Sequence, residues 1–419
     1  MDAKINIKKQ LKISIPIAFE NLINILMTLV DTLVISILGT TELAALGAMG
    51  VILDMMQMSI KTIDVSNNTL IAKAIGEKNK QKESLMIGNT MIITVLLSVI
   101  IILIVFIVRP IFPSLFKVDK ICITYLSIRL LGFLQSSIVT VLSGFERTIG
   151  NQGNILELRI IAVIFNLILD LQAVRLGYGI QGVAWVTVWI DTALAIYLLI
   201  KSKNTVKYRF VKSYFLEIFQ LFKWNFVERI ASRIDNFIFN LIVARMGNLE
   251  YAVHVILIQI ANIYEAFIQG FGDGLTISVG IASGNKTKAE MENVKKVAKE
   301  VITIGSFIFP ILIFIIAIVV MKISLKEPEL QSIFYKVLPL LMIGTYVTMS
   351  ATYYFAILRG VRDFEFLAKR NVISSIAKII LAFILSYTPL GIIGVWGAYL
   401  AYGLIQKYLS KNRYKEVFA

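Results

Sequence analysis

The chain is poor in the residues that build covalent or metal-held sites. It has one cysteine, Cys122, and one histidine, His254, in 419 residues. A single cysteine excludes an internal disulfide and any multi-cysteine metal site. A single histidine argues against a histidine-rich metal centre. Charge is scarce as well: Asp, Glu, Lys and Arg make up 16% of the chain, where a soluble protein has about 25%. Walker phosphate loops, nucleophilic-serine motifs and zinc motifs are all missing, so the sequence is not that of an enzyme and calls for no cofactor. No small-residue cleavage site follows the first apolar run, which reads as a retained helix and not a signal peptide.

What is abundant is apolar length. Hydrophobic residues are 57% of the chain and the mean hydropathy is +0.78. Apolar segments fall at about 11–38, 44–75, 85–109, 119–145, 155–174, 179–200, 214–246, 251–281, 296–321, 330–358, 365–387 and 391–409. Several exceed the ~20 residues that cross a bilayer. Outer-membrane-type barrels would read as short alternating strands instead. The reading is therefore an all-α integral membrane protein of about twelve transmembrane helices. Its surroundings are the lipid bilayer.

The net charge of +15 suggests nucleic acid until its placement is counted. With the N-terminus inside, the inner connections hold 29 of the 42 Lys and Arg, and the outer ones 7, including Lys322 and Lys326. The positive-inside rule then puts both termini in the cytoplasm of a multi-pass cell-membrane protein. The basic loops face anionic headgroups, and no nucleic-acid partner is needed.

The two halves repeat without a gap over a long stretch. A shift of 208 residues carries Glu20 onto Glu228, Gly39 onto Gly247, Glu42 onto Glu250, Ala74 onto Ala282, Gly76 onto Gly284, Lys78 onto Lys286 and Lys80 onto Lys288. Six helices separate the copies, so both keep one orientation: a parallel repeat about an axis along the membrane normal. The longest connection, Lys201 to Phe210, falls near the midpoint. The expected organisation is an N-terminal lobe of six helices at residues 1–205 and a C-terminal lobe of six at 206–419.

Polar side chains inside the spans mark candidate sites, because a charge at bilayer depth costs about 2.5–3.5 kcal/mol or more. Glu20, Asn24, Thr28 and Asp31 share one face of the first span, and Pro16 permits a bend near its start. Asp54, Gln57, Lys61, Asp64 and Asn68 form a stripe on the second span, with Lys61 and Asp64 spaced to pair. Asn166 and Asp170 lie one turn apart in the fifth span, as do Thr187 and Asp191 in the sixth. Such oxygens suit a hard monovalent cation, and a carboxyl pair also suits a proton, since two close carboxylates do not both stay ionised cheaply. The second half has Phe239 at the Asp31 position and Ala382 and Ser386 near those of Asn166 and Asp170. A cation site therefore belongs to the first half. In the seventh span Glu228, Arg229, Arg233 and Asp235 crowd together, a pattern open to an ion-pair network reaching Lys378 or to a gate.

These residues resemble those of the multidrug and toxic compound extrusion transporters, within the wider superfamily of multidrug, oligosaccharidyl-lipid and polysaccharide flippases. The resemblance runs over nearly the whole chain. It is carried by Pro16, Val30-Asp31-Thr32 with Gly39, Ala74-x-Gly76, Asn166-x-x-x-Asp170, Gly182-Val183-Ala184 with Thr187, Gly270-Phe271-Gly272 and Val279-Gly280. It implies a secondary antiporter in two six-helix lobes, exporting cationic or amphiphilic small molecules against entering Na+ or H+. It also implies Asp31, Asn166, Asp170 and Thr187 as the cation-coupling set, with Na+ held there where sodium is the ion, and Pro16 as the first-helix hinge. Glu20, Asn24, Lys61, Asp64, Asp191, Glu228, Arg229 and Arg233 are candidate accessory or gating residues. A monomer is expected. The alternative is a flippase for a lipid-linked saccharide or similar amphiphile, its embedded Lys and Arg gripping phosphate. One departure stands out: a second cation site known in some members needs an aspartate in helix ten, and residues 330–358 hold no carboxylate.

Overall fold

A computed structural model describes residues 5–285, 287–324 and 327–418. Lys286 and Lys326 lie outside the described residues. Twelve long helices follow one another among those described: α1 (Ile7–Ser36), α2 (Thr40–Gly76), α3 (Lys80–Val108), α4 (Ile121–Thr148), α5 (Gln152–Arg175), α6 (Gly179–Ser202), α7 (Lys212–Ala244), α8 (Asn248–Asn285), α9 (Lys288–Ser324), α10 (Pro328–Gly360), α11 (Phe364–Ser386) and α12 (Gly391–Phe418). A 3-10 turn, Arg109–Ile111, and a one-turn helix, Phe112–Phe116, bridge α3 to α4. The fold is all-α, as the apolar runs require. Eight of the twelve are long and apolar enough to cross a membrane by length and composition alone. The other four, α5, α7, α11 and α12, are those diluted by polar groups such as Asp170, Arg229 and Lys378.

Turn chemistry repeats with the sequence. Gly39 precedes α2 at φ 141° and Gly247 precedes α8 at φ 145°, backbone that side chains rarely adopt. A Cβ at either would crowd the carboxylate three residues on, Glu42 or Glu250. The Gly-x-x-Glu signature is thus one tight turn used twice. Helix pairing repeats too. In the first half α2 packs on α3 and α4, α3 on α4, and α6 on α4 and α5. Adding six to each number gives the principal pairings of the second half: α8 with α9 and α10, α9 with α10, and α12 with α10 and α11.

By packing, the chain forms two compact units, Phe19–Phe222 and the residues up to Ala18 together with those from Lys223 on. These division points lie inside α1 and α7, not after residue 205 where the long connection suggested. The physical reasons are local. Residues 203–211 are strapped to α3: Asn89 Nδ2 donates to the Arg209 carbonyl (2.8 Å), Asn89 Oδ1 accepts from Val211 N–H (2.8 Å) and Ser84 Oγ donates to the Thr205 carbonyl. A Cβ at Gly88 would collide with the Lys207 carbonyl. Ile218 and Phe222 then join the apolar core of the first unit.

At the other point, the opening turns of α1 run along α8 on a seam of small residues. A Cβ at Gly270 would strike the Ala18 backbone, and one at Gly274 would strike Ser14. Ser278 Oγ donates to Gln10 Oε1 at 2.8 Å. Gln10, Ser14 and Ala18 thus face Ser278, Gly274 and Gly270 at every fourth residue, the close backbone approach that small-xxx-small patterns allow. Pro16 sits inside this stretch of α1.

Candidate cation site

Three helices of the first unit bring the carboxyls of Asp31, Asp170 and Asp191 within range of one guanidinium, Arg129. Asn166 and Asp170 on α5 are fully buried, as are Thr187 and Asp191 on α6 to within 4% and 8%. The Asp31 carboxyl of α1 adjoins that of Asp170. Thr187 donates its hydroxyl to the Val183 carbonyl (3.2 Å), which leaves its oxygen lone pairs for another partner. The juxtaposed set has a shared property. Beyond the contact between the two carboxyls, the oxygens of Asp170, Oδ1 of Asp31, and both Oδ1 and Nδ2 of Asn166 are buried without a further hydrogen-bond partner. Buried polar atoms are nearly always paired, so orphans collected in one place call for a ligand.

Sequence reading passed over Arg129 on α4. Its guanidinium lies within electrostatic range of Asp31, Asp170 and Asp191, and beside Tyr125. An arginine in the middle of an apolar span was the signal that could have found it. Arg129 and Asp191 also line a small cavity of about 20 Å³ with Gln57, Ser136, Gly132 and Val188. Gln57 Nε2 donates to Ser136 Oγ at 2.8 Å. The space holds one water-sized occupant.

Toward the start of α1 the carboxyls meet guanidiniums. Arg147 reaches Glu20 at 2.7 Å and Asp64 at 3.4 Å, and Arg159 reaches Glu20 at 3.7 Å. Asp64 Oδ1 also accepts from Asn68 at 2.9 Å. Glu20 and Asp64 are therefore held by guanidiniums. Asn24 and Lys61 lie on exposed faces.

In the second unit Glu228 meets Arg359 at 3.5 Å and Arg370 at 3.8 Å, while Asp273 meets Arg359 at 3.7 Å. Asp235 pairs with Lys378 at 2.6 Å. The crowding in the seventh span is an ion-pair network, whose partners come from α8, α10 and α11. Arg233, one turn after Arg229, points to an exposed face. His254 is buried against Phe239 and Trp396, with Nε2 3.0 Å from Asn240 Oδ1.

A cation site in the first unit would have oxygen donors only. Among the described residues no group of three or more His, Cys, Asp or Glu is placed to hold a metal ion. The orphaned oxygens of Asp31, Asn166 and Asp170 fit a hard monovalent ion or a proton, and Arg129 already supplies one positive charge beside them.

The family model MatE matches residues 16–171 and 226–384, three quarters of the chain and both copies of the repeat. The chain belongs to the MatE family. Members of that family are membrane transporters, not enzymes. Among curated proteins, no relative matches the chain. Solved structures match along its full length. A mutant of the Vibrio cholerae MATE transporter VcmN superposes with a TM-score of 0.90 at 15% identity, over 98% of this chain and 96% of that one. An outward-facing multidrug resistance MATE transporter gives 0.87 at 19%, over 98% and 97%. A Pyrococcus furiosus transporter of the MOP superfamily gives 0.88 at 19%, over 99% and 96%; its structure is described as having a binding pocket of reverse polarity that suggests a different function. At these identities the likeness speaks for the MatE fold.

Proposed function

We propose that this MatE protein is a secondary antiporter that exports cationic or amphiphilic small molecules, coupled to Na+ or H+ entering at Asp31, Asn166 and Asp170. It sits in the cell membrane with both termini in the cytoplasm, the side favoured by the 29 to 7 split of basic residues. The observation that supports the reading is the juxtaposition of the Asp31 and Asp170 carboxyls, which meet each other, one turn from an Asn166 amide that has no hydrogen-bond partner.

Charge balance supports a cationic cargo. In the first unit six carboxyls within the spans, Glu20, Asp31, Asp54, Asp64, Asp170 and Asp191, face four cations, Lys61, Arg129, Arg147 and Arg159. The surplus is negative, and at the Asp31 end three acids, Asp31, Asp170 and Asp191, share the one guanidinium of Arg129. An ion bound there cancels charge that an organic cation would otherwise cancel. Exchange follows when the two compete, because a ligand moves a conformational equilibrium only by its differential affinity for the two states. Pro16 removes the N–H that would bond the carbonyl four residues before it, which makes bending of α1 cheaper at that point.

Efflux of a fluorescent organic cation from proteoliposomes tests the reading. An inward Na+ or H+ gradient is expected to drive efflux by the wild type but not by Asp31→Asn. Equal, gradient-stimulated efflux by both proteins would sink the assignment.

A second reading, a carrier of anionic amphiphiles such as a lipid-linked saccharide, draws on the reverse-polarity relative and on the buried Arg359, Arg370 and Lys378. Each of these three cations is met by Glu228, Asp273 or Asp235. None is left over for a phosphate, so the cationic reading is preferred.

A further inference from the structure

Lys378 on α11 is 1% exposed, and its ammonium sits in a pocket made entirely by the second unit. Nζ lies 2.6 Å from Asp235 Oδ2. It also stands over three aromatic rings, 4.8 Å from the centroid of Phe239, 5.0 Å from Tyr402 and 5.4 Å from Tyr399. Glu265, which accepts from the Tyr399 hydroxyl at 2.6 Å, lies within electrostatic range, as does His254. One carboxylate and several ring faces around a desolvated ammonium is the chemistry that recognises alkylammonium ions. Asp235, in the same pocket, also has Ser375 of α11 beside its carboxyl.

We propose that this pocket is an alkylammonium-binding site whose ligand is the protein's own Lys378, a tethered cation that shuts exchangeable cations out of the second unit. Tethering replaces a bimolecular binding event by an intramolecular one, so the site stays filled at any external cation concentration. Phe239, the repeat counterpart of Asp31, contributes a ring face where the first unit contributes a carboxylate. The consequence for coupling, that every exchangeable ion passes through the first unit, rests on the antiporter reading; the pocket itself does not.

Truncation at Cβ converts the tether into an empty receptor. Lys378→Ala removes three methylenes and the ammonium, the shape of n-propylammonium. Thermal unfolding and equilibrium binding of labelled n-propylammonium are measured on purified wild type, Lys378→Ala and the double variant Lys378→Ala/Asp235→Asn. Saturable binding and a rise in melting temperature are expected for Lys378→Ala alone, with 1-propanol, the neutral isostere, without effect. Binding to the wild type as strong as to Lys378→Ala overturns the proposal. So does stabilisation that 1-propanol matches or that survives loss of Asp235. If Lys378→Ala does not accumulate on its own, cells expressing it are grown with n-propylammonium. Accumulation restored by the amine and not by the alcohol supports the tethered cation, and accumulation indifferent to the amine refutes it. These readouts need no transport, so their failure leaves the antiporter reading standing, and a failed efflux assay leaves the pocket standing.

Discussion

Asp31 and Phe239 hold equivalent places in the two copies of the repeat, and their surroundings have moved in opposite directions. Around Asp31 the acids outnumber the one guanidinium in range, and beyond the contact between the two carboxyls oxygens of Asp31, Asn166 and Asp170 lack partners. Around Phe239 the acid is paired: Asp235 holds Lys378, and aromatic rings close over the ammonium. Both copies keep the Gly-x-x-Glu turn and the same helix pairings. The two copies thus share a scaffold while their buried charges differ: adjoining carboxyls in the first unit, a carboxylate paired with an ammonium in the second. The contrast also shows why a buried charge alone does not mark a transport site. Lys378, Arg359 and Glu228 are buried too, and each is in an ion pair.

The largest expected effect breaks the first side of this contrast. Asp31→Asn removes one of the two adjoining carboxyls, so gradient-driven stimulation of efflux is expected to vanish; coupling energies of about 1–3 kcal/mol correspond to roughly 5–150-fold. Flux assays under Na+ and H+ gradients read this directly. Adding Phe239→Asp should not restore coupling, because Lys378 stands ready to neutralise the new acid. Recovered coupling in that double variant would show the two pockets to be interchangeable.

Next comes the stability of the filled pocket. Lys378→Met keeps the apolar stem and deletes the charge, leaving Asp235 buried without its partner. Loss of one member of such a pair costs about 3–5 kcal/mol. Denaturant or thermal unfolding is expected to show that loss, and Lys378→Met/Asp235→Leu to recover most of it, since an apolar pair of similar volume is often as stable. An unchanged melting temperature in Lys378→Met would mean that the pair contributes nothing.

How much of this was legible beforehand differs along the chain. The helices and the repeat could be read because membrane helices advertise themselves by apolar length, and a carboxylate such as Asp31 or Asp170 is conspicuous in such a run, although which partners it meets is not. The packing division was not. The connection around residue 205 looks like a linker by composition, yet Ser84, Gly88 and Asn89 bind it to α3 through backbone groups, which no hydropathy pattern reveals. The partners of Glu228 were hidden for the same reason: Arg359 and Arg370 lie over a hundred residues away, and only folding brings them to it. Arg129 was visible as a lone basic residue in a span, but its role needs the neighbouring helices to be known.

A smaller effect concerns the seam that places the opening turns of α1 in the second unit. Gly274→Leu puts a branched side chain where Ser14 now touches the α8 backbone. Overpacking of this kind costs about 1–3 kcal/mol. Limited proteolysis of the α1 start, together with a melting curve, should show weakened docking of residues 7–18. Gly344→Ala is the matched control: a Cβ there meets nothing within 4 Å, so it should leave the docking of residues 7–18 unchanged and, inside a helix, raise stability by about 0.5–1 kcal/mol.

The smallest expected effect lies outside both pockets, at Asp363, where the α10–α11 turn meets α12. Arg413 Nε lies 2.7 Å from Asp363 Oδ2, and its Nη1 is shared with Glu416 at 3.0 Å. This pair resembles Lys378–Asp235 in sign and distance but is partly open to solvent, with 38% of the Arg413 side chain exposed. Water already solvates both groups when the pair opens, and salt screens what remains, so such pairs contribute about 0–1 kcal/mol. Asp363→Asn is therefore expected to shift the melting temperature far less than Lys378→Met, and the shift should shrink further as salt is raised. Equal losses from the two substitutions at high salt would remove burial as the reason the Lys378 pocket differs from an ordinary ion pair.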